Sequence, residues 1–150
     1  MTLQNLLRIG KLKPHAATAA EVQRLLVAIE RSLADAQVAG LSSEARFDLA
    51  YKAVMQCALV ATLAAGYRPS THEPGHHQTM IQTLPLTLGV ANDDWIVLDA
   101  LRKQRNANDY TGQPIADDAV AECLRQARAL REALLASLAA EHAQLLGRRG

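Results

Sequence analysis

With 150 residues, the chain has the length of one domain, enough to bury a core without disulfides or structural metals. Hydrophobic residues make up 49% and aromatics only 3%, with Ala and Leu dominant, a composition of packed helices rather than β-branched sheets, so the expected class is all-α. Sixteen Lys plus Arg against fifteen Asp plus Glu leave a formal charge of +1, which excludes a whole-molecule field steering the protein onto nucleic acid or anionic lipid; such a partner must meet a local patch.

Leu3, Leu6, Leu7 and Ile9 predict a short amphipathic helix over residues 3–9, and Pro14 disfavours its continuation. Polar residues interrupt this start, so it lacks the unbroken apolar region of a signal peptide. No later stretch approaches the apolar length that spans a bilayer. Cys57 and Cys123, far apart in apolar helical patterns, read as reduced core residues. The expectation is a cytoplasmic protein with no membrane partner.

Thr18 followed by Glu21 is a capping-box pattern, after which Val22, Leu25, Leu26, Ile29 and Leu33 repeat at helical spacing until Gly40. Ser42 or Ser43 caps the next helix. There Phe47, Tyr51, Val54, Ala58 and Ala65 mark one face and Ala53, Cys57, Val60 and Ala64 a second, which predicts a central position. It stops at Gly66, and residues 67–75 have a loop composition. A shorter helix over 77–84 is expected to end at Pro85.

Asn92, Asp93 or Asp94 opens another helix through Trp95, Leu98 and Leu101 to Arg105, favoured as a cap and by the helix dipole. After the Gly112–Pro114 break, a long helix over 115–146 carries Val120, Leu124, Ala127, Leu130, Leu134, Leu138 and Leu145 near one stripe. Four substantial helices with short connections predict an up-and-down four-helix bundle over residues 18–146. A helical arm over 1–17, the short extra helix and a frayed basic tail over 147–150 complete the expected organisation.

The string His72-Glu73-Pro74-Gly75-His76 spells the zinc-protease pattern, whose chemistry requires both imidazoles on one helical face. Pro and Gly between them favour a loop, and no second ligand cluster supports His77 in a metal site, so neither a metal nor a cofactor is expected. His142 reads as packed or as a helix-end residue, and Arg125, Arg128 and Arg131 as a solvated face interleaved with Glu122 and Glu132.

The segment 101–110 is more unusual. At about 100° per residue Arg102, Asn106 and Tyr110 lie near one face, whereas Arg105 sits near the Leu98 and Leu101 stripe with Asp109 one turn on. Residue by residue, this is an Arg105–Asp109 pair across one turn, Asn106 and Asn108 ending the helix, and Tyr110 packing its ring.

The combination Arg105-Asn106-x-x-x-Tyr110 at a helix end, before a turn and a long final helix, resembles the HEPN superfamily. The helix order and the 66–77 connection are also similar, and the resemblance covers roughly residues 20–145. It implies an all-α dimer, often a metal-independent endoribonuclease of toxin or defence type with an antitoxin or nucleotidyltransferase partner. Arg105 would hold phosphate, Asn106 orient it, and Tyr110 hydrogen-bond or stack, with Arg102 and Asp109 as further ligand-binding residues.

Active members carry His where this chain has Tyr110, and a phenol with an ordinary pKa of about 10 is a poor base near neutrality. On one regular helix, positions 105 and 110 also point about 140° apart, so the resemblance implies a homodimer whose second chain completes the cleft. The alternative expectation is a non-catalytic helical module that dimerises or docks a partner protein through the same segment.

Overall fold

The computed structural model describes residues 1–71 and 76–147. Among them, six α-helices and one short antiparallel strand pair occur in the order α1 (Leu3–Arg8), β1 (Leu12–Pro14), α2 (Ala19–Asp35), α3 (Ser43–Ala64), β2 (Tyr67–Pro69), α4 (His76–Thr87), α5 (Asn92–Thr111) and α6 (Asp117–Glu141). A 3-10 turn, Ala143–Leu146, follows α6. The all-helical class read from composition holds.

The α3 helix lies at the centre and packs against α2, α4, α5 and α6. The two apolar faces of its sequence account for this: Phe47, Tyr51 and Val54 on one side and Ala53, Cys57 and Val60 on the other are all buried. At the helix end Ala64 is half-buried and Ala65, just past it, is exposed. By length and composition α3 could also cross a bilayer, contrary to the sequence expectation, but most of it is buried inside the domain, as in a core helix.

The predicted caps at the first two long helices are present. Thr18 Oγ1 accepts from the Glu21 N–H while Glu21 accepts from the Thr18 N–H, and Ser42 Oγ accepts from the Ala45 N–H. Helix α2 stops at Asp35 rather than near Gly40, because Arg46 reaches over from α3 and its Nε donates to the Ala36 carbonyl at 2.8 Å. That bond satisfies an acceptor that another helical turn would have used.

Further boundaries differ from expectation. Residues 67–69 form β2 rather than loop, with Leu12, Lys13 and Pro14 opposite Pro69, Arg68 and Tyr67. This pairing fastens the N-terminal segment to the domain, where Leu6 and Leu12 are buried in the common core. Helix α4 runs past Pro85, which sits in the last turn where its missing N–H costs a single bond.

Helix α5 opens at Asn92 after Ala91 in the N-cap position, which offers no side-chain cap, with Asp93 and Asp94 in its first turn. It continues beyond Arg105 to Thr111, where Gly112 takes the left-handed conformation at φ 71° and the Asn108 amide donates to the Gln113 carbonyl at 2.7 Å. Helix α6 is shorter than the predicted 115–146: Ile115 precedes it, its N–H held by Glu44, and Leu145 lies in the 3-10 turn. Its stripe from Val120 to Leu138 is buried as expected, and of the expected tail only Gly147 lies within the described residues.

Candidate functional site

The groove that contains Arg105 is built mainly from one stripe of α3. Asp48, Tyr51, Lys52 and Met55 follow the i, i+3, i+4, i+7 spacing of a single helical face, and they line a cavity of about 360 Å³ together with Leu49, His77 of α4 and Arg105 of α5. A second cavity of about 260 Å³ shares Lys52, Met55 and His77 and extends along α3 to Gln56 and Leu59, walled by Pro69, Thr71, His76 and Met80.

Tyr51 organises the first cavity. It is 2% exposed, stacked on Phe47 at 6.4 Å and 14°, and its ring carries the Arg105 guanidinium at 5.2 Å from the centroid. The His77 ring lies 5.8 Å from the same centroid, and His76 meets His77 edge-on at 4.8 Å. A cation over an aromatic face is attracted by the ring quadrupole, so Arg105 is held in place while its N–H groups keep their donor capacity.

Arg105 also makes the predicted contact with Asp109, Nη1 to Oδ2 at 3.5 Å, long for a charge-assisted hydrogen bond. Burial raises the Asp48 carboxyl above the usual range, helped by the charge of Asp109 and opposed by Arg105. The His77 imidazole is pushed below its ordinary value by burial and then by the charges of Arg105, His76 and Arg102, so it stands neutral at physiological pH. A neutral imidazole beside a fixed guanidinium can accept a proton while the cation holds an anion.

Tyr51 itself is not the base, because burial raises its phenol to about 12 against the pull of Arg105 and Arg102. Its hydroxyl is buried and finds no hydrogen-bond partner among the described residues. A buried hydroxyl without a partner costs about 1–3 kcal/mol. Tyr51→Phe keeps the ring under Arg105 and removes that cost, so the variant is expected to gain about 1–2 kcal/mol in urea unfolding. A destabilised variant would show that the hydroxyl is bonded in solution. Cys57 and Cys123, both buried, have thiols raised to about 12 by burial, which excludes them as nucleophiles.

The remaining site residues named from sequence are placed differently. Arg102 is turned to Asp99, Nη2 to Oδ1 at 2.9 Å, with Lys103 on the other oxygen at 3.3 Å. Burial opposes ionisation of Asp99, but these hydrogen bonds outweigh it and hold the carboxyl below its usual range. Asn106 is half-buried on α5 and does not line the Arg105 cavity. Tyr110 is 85% exposed: its ring does not pack, and within one chain it does not meet Arg105. The geometry follows from an α5 that stays helical through Thr111, leaving the two positions on different faces.

Sequence reasoning therefore found Arg105 and missed its surroundings. The sequence marks His77 as a helix start, a weak metal-site candidate and the end of the 66–77 connection, and its signal for Asp48 and Lys52 is two charges set into the apolar pattern of α3 beside Tyr51. Of the zinc-protease string, all but His76 lies outside the described residues, and no group of metal-ligating side chains occurs among those described.

The depressed His77 pKa makes stability depend on pH. The unfolded chain protonates this imidazole near its ordinary value of about 6.5, whereas the folded chain resists until lower pH. Its contribution is thus present above that value and lost as pH falls through it. The wild-type melting temperature is expected to drop more steeply than that of His77→Gln between about pH 7.5 and 5.5. Parallel curves would show that His77 titrates normally.

No family model, no curated protein and no solved structure matches this chain.

Proposed function

We propose that this protein is a HEPN-like RNA-binding domain, with α2, α3, α5 and α6 as an up-and-down four-helix bundle, that cleaves RNA without a metal at the Arg105–His77 groove. The observation that carries the reading is the convergence of Arg105 and a neutral His77 on one cavity over the buried Tyr51 ring. His77 takes the role that Tyr110 cannot fill.

In this mechanism the neutral His77 imidazole accepts the proton of a ribose 2′-hydroxyl, and the 2′-oxygen attacks the adjacent phosphorus. The bond to the 5′-oxygen breaks, that oxygen takes a proton from water, and the products end in a 2′,3′-cyclic phosphate and a 5′-hydroxyl. Arg105 exchanges its long Asp109 contact for the phosphoryl oxygens and stabilises their charge in the transition state. Lys52 at the rim adds positive charge for the strand.

Asn106 and the exposed Tyr110 extend the same helix toward the strand or a second chain. The wider reading is a cytoplasmic homodimer with an antitoxin or nucleotidyltransferase partner. The test is incubation with labelled single-stranded and structured RNA in EDTA. Cleavage to cyclic-phosphate ends that is lost in both Arg105→Ala and His77→Gln supports the reading. Cleavage indifferent to both changes, or no binding, overturns it.

A second reading rests on a different face. Ile96, Lys103 and Tyr110 recur at seven-residue spacing on α5, and Ile96 is 54% exposed, which suits a non-catalytic module that docks a second copy. Concentration-dependent dimerisation abolished by Ile96→Glu, with no RNA response, would favour it.

A further inference from the structure

The second cavity on the α3 stripe is chemically unlike the first. Met55, Leu59, Pro69 and Met80 help give it a largely apolar wall, and it opens beside the Arg105 cavity across the shared Lys52, Met55 and His77. A ligand filling both must carry an anionic group at one end and a compact apolar group at the other. Its volume of about 260 Å³ is small for a peptide segment and ample for one flat ring system.

Resting on the phosphate-site reading above, we propose that this cavity is a subsite for one unpaired nucleobase adjoining the phosphate held by Arg105, so that the substrate class is single-stranded RNA. Methionine thioethers make favourable contacts with aromatic rings and adapt to different ones, and Met55 and Met80 flank the space. His76 and His77 present imidazole rings at the same wall for stacking.

Gln56 supplies the polar group. Ser32 Oγ donates to Gln56 Oε1 at 3.2 Å, which fixes the carboxamide and leaves its nitrogen to donate to a base carbonyl. Thr71 adds a hydroxyl on the same wall. A base inside a duplex remains stacked and cannot enter such a pocket, which sets the preference for unpaired strands. Asp48 and Asp109 face the Arg105 end rather than this one, so their charges bear on the phosphate, and Lys52 lies between the two cavities.

The experiment measures affinity in EDTA for an eight-nucleotide oligouridylate, the same backbone with abasic riboses, and the oligouridylate annealed to its complement. To prevent turnover, every strand carries 2′-O-methyl riboses. Leu59→Trp fills the cavity, Gln56→Ala removes the amide together with its Ser32 hydrogen bond, and each variant's thermal melt is checked against the wild type.

The abasic strand and the duplex are expected to bind the wild type about tenfold more weakly than the oligouridylate, the size of one base-stacking contact. Leu59→Trp brings the oligouridylate down to the abasic level without changing abasic binding, and Gln56→Ala weakens it by a smaller factor. Equal wild-type affinity for base-bearing and abasic strands, both lost in Arg105→Ala, overturns the base subsite and leaves the phosphate site standing. Binding that does not depend on Arg105 overturns the phosphate-site reading itself.

Discussion

Arg105→Ala protein is expected to fold with nearly unchanged stability and to cleave single-stranded RNA about 100- to 1,000-fold more slowly, the usual loss when one preorganised transition-state donor is removed. The structural cost is small because Asp109, the residue left behind, has a side chain 38% exposed and rehydrates readily. The stacking on Tyr51 contributes about 0.5–1 kcal/mol at a half-exposed position.

Arg105→Lys separates charge from geometry. An ammonium keeps the charge but loses the planar fork that lies on the Tyr51 ring while offering N–H groups to a phosphate. Lysine is therefore expected to recover part of the RNA affinity and little of the cleavage rate. Single-turnover rates and dissociation constants for the two variants give this split directly. Full recovery by lysine would reduce Arg105 to a point charge, and a large fall in melting temperature for Arg105→Ala would instead assign it to the packing of α5 on α3.

How the site escapes a linear reading follows from where its members lie. Arg105 is legible because it stands in a helix next to Asn106 and Asp109, and its tilt toward the Leu98 and Leu101 stripe follows from helical spacing. His77 and Tyr51 belong to other helices, and nothing in either local pattern says that α4 and α5 will lean on the same face of α3.

The fold divides in a similar way. The two apolar faces of α3, the α6 stripe and the Thr18 and Ser42 caps are local patterns with one physical solution. The β1–β2 pair is not: three-residue strands show no usable alternation, each contains a proline, and the hydrogen bonds join distant segments. The last turns of α5 carry few apolar residues, and their helicity is closed by the Gly112 turn and the Asn108 side chain rather than by any periodicity.

Phe47 is where stability and site meet, and Phe47→Ala is expected to cost about 3–5 kcal/mol, a large share of the roughly 5–15 kcal/mol available to a domain. The side chain is fully buried, it is the only phenylalanine in the chain, and its ring is stacked with that of Tyr51. Truncation leaves a cavity that the central helix, packed against four others, cannot close by shifting. Phe47→Leu keeps most of the volume and is expected to cost under about 1.5 kcal/mol.

The pair of variants also tests how Arg105 is held. Well below their melting temperatures both remain folded, yet only the alanine variant frees the Tyr51 ring to tilt into the vacated space and carry the guanidinium off its position. Urea titrations should rank wild type, Phe47→Leu and Phe47→Ala in order of decreasing stability, and RNA cleavage at low temperature should fall in Phe47→Ala while Phe47→Leu stays near wild type. Equal activity in folded samples of all three would mean that Arg105 keeps its place without the stacked pair, with the Asp109 contact and the α5 backbone sufficient to position it.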